Sequence, residues 1–210
     1  STVSPTEFGA AVVKNILEET KVPKEMIDEV ISGNILPAGQ GQGVGRQVAL
    51  KAGLPFKVPG YCVSMVCGSG MKAIMDAYLK ISAGWSNVII AGGTESMSQA
   101  PHLMPSKVRS GYKMGDMQVI DHMIYDALID AYDGIHMGIT AENIVDKHSL
   151  SREEQDQFAI DSQSKAIKAV DEGKFKDEIV PIEVKSRRET IIFDTFEYPN
   201  RRTTLEKLST

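Results

Sequence analysis

Three features of the sequence predict an α/β fold. Compact apolar, partly β-branched runs at residues 29–32, 61–66 and 87–91 read as strands. Segments with helical spacing separate them. Glycine clusters punctuate the changes from one period to the other, at Gly39–Gly45, Gly68–Gly70 and Gly92–Gly93. Strands alternating with helices imply a parallel sheet covered on both faces.

Each element has a local reason. Ser4-Pro5-Thr6-Glu7 combines a capping serine, a proline at the first helical position and a glutamate that closes a capping box. Phe8, Ala11, Val12 and Ile16 follow at helical spacing and predict the buried face of that first helix. The loop with Gly39, Gly41, Gly43 and Gly45 precedes a short helix over residues 46–52. Met71, Ile74, Met75, Tyr78 and Ile81 give a helix over residues 71–82 one apolar face. Residues 101–121 are rich in Met, Gly, Ser and His without a clean period, which marks a long loop or a boundary. Met97 and Met104 read as packing residues. Ser151-Arg152-Glu153-Glu154 is a second capping box, opening a helix with Phe158, Ala166 and Ala169. Residues 178–184 and 190–193 read as further strands.

Composition narrows the function classes. The chain has 210 residues and a formal net charge of −5. Its Lys/Arg pairs, Arg187–Arg188 and Arg201–Arg202, are too few for a nucleic-acid footprint. No apolar run is long enough to span a bilayer, so no membrane partner is expected. Two cysteines do not make a disulfide framework and suit a reducing compartment, with the cytoplasm as the expected location. His102, His122, His136 and His148 show no metal-ligand spacing, so no metal site is predicted. The glycine loop before Arg46 has neither the G-x-G-x-x-G register nor a G-K-[ST] ending, which argues against dinucleotide and Walker-type phosphate binding.

Cys67 is the sharpest candidate for chemistry. It ends an apolar strand and opens a helix through Gly68-Ser69-Gly70. Glycines there permit a tight turn and close approach of a substrate. A thiol at a helix N-terminus faces free N–H groups and the positive end of the helix dipole, and both favour the nucleophilic thiolate. A buried cysteine filling a small core site is the other reading. The residues alone leave both open for Cys67, whereas Cys62, lying mid-strand, reads as core. Ser69 as the nucleophile of a G-x-S-x-G elbow is excluded, because Cys67 and Met71 occupy the flanking glycine positions.

Four stretches carry a family resemblance. Val66-Cys67-Gly68-Ser69-Gly70-Met71-Lys72-Ala73 resembles the acylated-cysteine motif of thiolases. Asn87 to Ser98 resembles the strand and turn that follow it, and Gly33-Asn34-Ile35-Leu36 to Arg46 the family's glycine-rich loop near the dimer interface. His136-Met137-Gly138-Ile139-Thr140-Ala141-Glu142-Asn143, followed by residues 151–162, resembles the thiolase loop domain. Order and spacing agree for all four, over nearly the whole chain.

The resemblance implies a layered α/β/α thiolase half over residues 1–100 and a mixed α+β loop domain over residues 101–210. It implies acyl transfer between two acyl-coenzyme A molecules through an acyl group on Cys67, by Claisen condensation or thiolysis. Acetyl-coenzyme A acetyltransferase is the expected subtype, with long-chain 3-ketoacyl-coenzyme A thiolase the alternative. Coenzyme A thioesters are then substrates, and no cofactor is expected. His136, Met137 and Leu128 match positions lining the acyl and pantetheine end of the pocket. Gln42 matches a glycine-loop position near the neighbouring active site, although Gly43-Val44-Gly45 replaces the family's usual Asn-Pro-Ala. Arg201 and Arg202 lie where relatives place an arginine against the nucleotide of coenzyme A, and a guanidinium suits phosphate. Thiolases carry a second, homologous half that supplies a histidine base, a second catalytic cysteine in a Cys-x-Gly-Gly-Gly run, and Asn-Glu-Ala-Phe and Gly-His-Pro stretches. None of these occurs in the 210 residues. This chain is therefore expected to be the nucleophile-bearing half of a homodimer or homotetramer, with a truncated, non-catalytic acyl-coenzyme A-binding or assembly fragment as the alternative.

Overall fold

The computed structural model describes residues 2–185 and 189–209. The described chain divides into two compact units, Ser1–Leu128 with Val184–Ile191, and Ile129–Glu183 with Ile192–Thr210. The resemblance sets its boundary near residue 100; by packing, residues 101–128 gather with the first unit. The Arg187–Arg188 pair lies outside the described residues.

The first unit begins with α1, Pro5–Thr20, and its predicted capping box is present. The Glu7 amide donates to Ser4 Oγ at 3.3 Å, and the Ser4 amide donates to Glu7 Oε2 at 2.8 Å. That Ser4 amide, with the Ser4 hydroxyl, holds the Glu7 carboxyl below its usual pKa. Then come β1 (Glu29–Gly33), α2 (Val44–Lys51), β2 (Gly60–Val63), α3 (Ser69–Ser82) and β3 (Ile89–Gly93). The three strands are parallel in the order β2-β1-β3, with Val30 opposite Gly60 and Ile90.

Successive residues of β1 face opposite sides of the sheet, and this builds two cores. Val30 joins Val13 and Leu17 of α1 and Val44, Val48 and Ala49 of α2 on one side. Ile31 meets Ala73 and Ala77 of α3 on the other. Each fully buried Val or Ile side chain contributes roughly 1.5–3 kcal/mol of transfer free energy. The unit is thus the expected α/β/α layering.

The predicted buried face of α1 requires correction. In α1 the buried residues are Ala10, Val13 and Leu17, while Val12 and Ile16 remain 43% and 40% exposed. The helix turns its slimmer face inward because it crosses α2 closely, and a Cβ on Gly9 would meet Val48 Cγ2 at 2.6 Å. Phe8, Val12 and Ile16 instead border a hollow of about 140 Å³ beside β1 and β3. In α3 the residues against the sheet are Ser69, Ala73 and Ala77. On the predicted apolar face, Met71 and Tyr78 are 71% and 70% exposed, and Ile74, Met75 and Ile81 share that open face. Small side chains let a helix lie close on a sheet, so the large ones are turned away.

Residues 101–121 hold a short antiparallel pair, β4 (His102–Leu103) with β5 (Ile120–Asp121). The second unit contains α4 (Met137–His148) and α5 (Arg152–Asp171). Ser151 caps α5, accepting from the Glu154 amide at 3.1 Å. A two-stranded sheet follows, β6 (Ile182–Lys185) with β7 (Thr190–Phe193), and then α6 (Leu205–Leu208). The strand expected from residue 178 starts four residues later, because the Glu178 and Ile179 amides close a turn onto Phe175 O at 3.0 Å. Among the described residues no helix is long and apolar enough to cross a membrane.

β1 and α3 approach closely. A Cβ on Gly33 would stand 2.6 Å from both Gly70 N and Ser69 C. Backbone atoms do not swing aside as a side-chain tip does. Gly33→Ala is expected to destabilise the protein by about 1–3 kcal/mol, the cost of overpacking, read as a lowered midpoint in chemical unfolding.

Candidate active site

The C-terminal ends of the three parallel strands share one edge of the sheet, which is where open α/β sheets place their ligands. β2 was expected to continue to Val66, but it stops at Val63. Beyond it, Met65 has φ −142° and ψ 39°, and Val66 has φ +45°. A left-handed conformation is rare for a β-branched residue and marks local strain. Cys67 follows in a single 3-10 turn, Val66–Gly68, that opens directly into α3. Its thiol is free and exposed.

The turn is tied together internally. The Gly68 amide donates to Met65 O at 3.0 Å. The Ser69 hydroxyl accepts from the Met65 amide at 2.8 Å and donates to Val66 O at 2.7 Å.

A second tie holds the opposite lip. The Glu95 carboxylate follows β3 and gathers three donors from the end of β1. Oε1 accepts from Asn34 Nδ2 at 2.7 Å and from the Leu36 amide at 3.1 Å, and Oε2 accepts from the Ile35 amide at 2.8 Å. Asn34 Nδ2 also donates to Thr94 O at 3.0 Å. Between the two lips lies an open pocket of about 430 Å³ whose walls include Gly33, Ile35, Cys67, Gly70, Glu95 and Met97. Met97, read from sequence as a packing residue, is half exposed at this wall, and Met104 is also exposed.

Cys62 contrasts with Cys67. It is half-buried in β2, packs against the core on the α1/α2 side, and accepts from the Gly45 amide at 3.1 Å. Burial pushes its thiol pKa up, the Gly45 amide opposes this, and the Glu95 charge adds to the rise.

The other sequence-derived candidates are distributed over both units. In the first, Gln42 is exposed in the glycine loop, its carbonyl accepting from Gln47 Nε2 at 3.0 Å. Leu128 is half-buried at the end of a π-helical turn, Ile124–Leu128. Neither is among the residues that line the Cys67 pocket. In the second unit, His136 is the N-cap of α4 and its Nδ1 accepts from the Gly138 amide at 3.0 Å. A neutral imidazole so engaged carries its proton on Nε2, which is then a donor. Met137 is exposed as the first residue of α4. Arg201 makes a two-pronged pair with Asp171, at 3.0 and 2.5 Å, which raises the guanidinium pKa and lowers that of the carboxyl. Arg202 is exposed.

Sequence reasoning missed Ser69, Asn34 and Glu95 as site-building groups. The carboxylate of a Gly-Gly-Thr-Glu turn sixty residues from its donors had no periodic signal to reveal it. It also missed His122, which is buried with Nδ1 2.5 Å from Asp126 Oδ2. Among the described residues, no three His, Cys, Asp or Glu side chains are grouped to hold a metal ion.

The fold and pocket define an α/β scaffold that presents an exposed thiol where a strand turns into a helix. The family model for the thiolase N-terminal domain matches residues 1–210, and the chain belongs to the thiolase family. An acetyl-CoA acetyltransferase of Pseudomonas aeruginosa is 50% identical over 204 residues, 97% of this chain and 52% of that protein. An acetyl-CoA acetyltransferase of Allochromatium vinosum is 48% identical over 209 residues, covering 99% of this chain and 53% of the relative. The crystal structure of the Bacillus anthracis acetyl-CoA acetyltransferase superimposes with a TM-score of 0.91 at 36% identity, over 99% of this chain and 52% of that one. The chain thus spans about half the length of the curated relatives it matches.

Two outcomes follow from the geometry. Glu95→Gln removes the charge and one acceptor oxygen from three donors, and is expected to cost about 1.5–3 kcal/mol, the range for hydrogen bonds to charged groups, measured by urea unfolding. Iodoacetamide at pH 8 is expected to label Cys67 well before Cys62. A raised pKa leaves less thiolate at any given pH, and Cys62 is also the more buried thiol; timed peptide mapping reads the order.

Proposed function

We propose that this chain is the nucleophile-bearing half of an acetyl-CoA acetyltransferase. The observation that carries the reading is Cys67, exposed on a strained turn at the mouth of α3 in an open pocket. The Cys67 thiolate attacks the thioester carbonyl of acetyl-CoA, and a tetrahedral oxyanion collapses to expel coenzyme A thiolate, which takes up a proton. The acetyl group is then held as a thioester on Cys67. The α-carbon of a second acetyl-CoA, after loss of a proton, attacks that thioester, forming the new carbon–carbon bond and returning the Cys67 thiolate. Covalent catalysis divides one hard transfer into two easier ones. Thiolysis of a 3-oxoacyl-CoA is the same sequence reversed.

The remaining candidates take the rest of the substrate. His136, Met137 and Leu128 border the acyl and pantetheine portion, with Nε2 of His136 as a donor. Arg202, exposed and beside the occupied Arg201, meets the nucleotide phosphates, and Gln42 lies toward a neighbouring subunit. No cofactor takes part. The complete enzyme is a cytoplasmic homodimer or homotetramer in which a second half supplies the base.

One observation favours the other reading, a non-catalytic acyl-CoA-binding or assembly fragment. The apolar stripe of α3 lies open to solvent, as a surface awaiting a cover does.

Incubation with acetyl-CoA followed by intact-mass and peptide mass spectrometry separates the two. One acetyl group on Cys67, absent in Cys67→Ala, is the expected result. A chain that stays unmodified supports the non-catalytic fragment, and an acetyl group carried elsewhere than Cys67, or its absence when the second half is present, overturns the enzyme reading.

A further inference from the structure

We propose that the Ser69 hydroxyl is the positioning group that holds Cys67 in its reactive presentation, by clamping Val66 in the left-handed conformation. A serine in the first turn of a helix ordinarily reads as a cap. Here it does not serve as one: Gly68 is the N-cap of α3, with no side-chain bond to the helix. The Ser69 hydroxyl turns back instead and bridges the two residues that precede Cys67, accepting from the Met65 amide and donating to Val66 O. The Ser69 amide donates to the same Val66 carbonyl.

Val66 needs such a hold. Its φ of +45° is one that a β-branched residue keeps only when its surroundings over-determine it. Ser69 is well suited to impose it. The residue is 4% exposed, so water competes little for its bonds. Its own backbone is wedged against Gly33, so the hydroxyl is referenced to the sheet rather than to a free loop. Cys67 lies between the strained residue and the clamp. When the hydroxyl is removed, Val66 relaxes toward negative φ, the peptide that follows rotates, and the thiol leaves the pocket wall. Ser69 touches no substrate in this scheme and acts only through the turn.

The proposal rests on Cys67 being the nucleophile, yet its test needs no acyl-CoA. The rate of Cys67 alkylation by iodoacetamide at fixed pH is followed by peptide mass spectrometry in the wild-type protein, Ser69→Ala, and the double variant Val66→Gly/Ser69→Ala. Glycine adopts positive φ without a steric cost, so the double variant removes the need for the clamp. The expected result is a loss of about tenfold or more in Ser69→Ala, the ratio that a barrier change of ~1.4 kcal/mol represents, with most of it recovered in the double variant. A Ser69→Ala protein as reactive as wild type overturns the proposal. So does a loss, including a failure to fold, that Val66→Gly leaves unrepaired, because Ser69 would then act through something other than this turn. Failure of acetylation with a positive result here sinks the acetyltransferase reading and leaves the clamp standing.

Discussion

Gly33 and the first residues of α3 approach so closely that no side chain fits between them. This contact fixes where the helix begins relative to the sheet, and much of the pocket follows from it. With α3 pressed onto the end of β1, the small residues Ser69, Ala73 and Ala77 are the ones buried against the strands. The chain leaving β2 has then to reach the helix within a few residues, and it does so through Val66 in a left-handed conformation. Strain of this kind costs of order 1–3 kcal/mol and persists where surrounding packing over-determines it. Here the surroundings are the Ser69 bridge on one lip and the Glu95 carboxylate on the other.

The two lips differ in physical character. Around Cys67 the bonds are short-range and neutral, within residues 65–69. The Glu95 lip is charge-assisted and long-range, joining residues some sixty positions apart across the ends of β1 and β3. A charged acceptor with several N–H donors is among the stronger hydrogen-bonding arrangements. It keeps the strand ends together where the ladder stops. The same charge contributes to the raised pKa of Cys62 in β2. The thiol on the turn is exposed, while the half-buried one packs against the core.

The open face of α3 sets the molecule apart from a chain whose large apolar residues are all covered. Met71, Ile74, Met75 and Tyr78 lie at helical spacing, and that spacing is why the helix was legible. Periodicity reports that one face is apolar without saying what covers it. The sheet took the alanine side because close helix–sheet packing favours small residues. In α1 the same competition placed Ala10, Val13 and Leu17 inward and left Val12 and Ile16 outside.

The sequence by itself determined the alternation of strands and helices, both capping boxes, the glycine breaks and the thiol at the start of a helix, because each is encoded within a few neighbouring residues. The four motifs in order also identified the family, which the thiolase N-terminal domain match establishes. Tertiary structure alone decided which helix faces are buried, where β2 ends, and that Ser69, Asn34 and Glu95 build the pocket. Those outcomes depend on contacts between segments far apart in the chain, and on which of two apolar faces fits against a strand whose glycine leaves only backbone to meet.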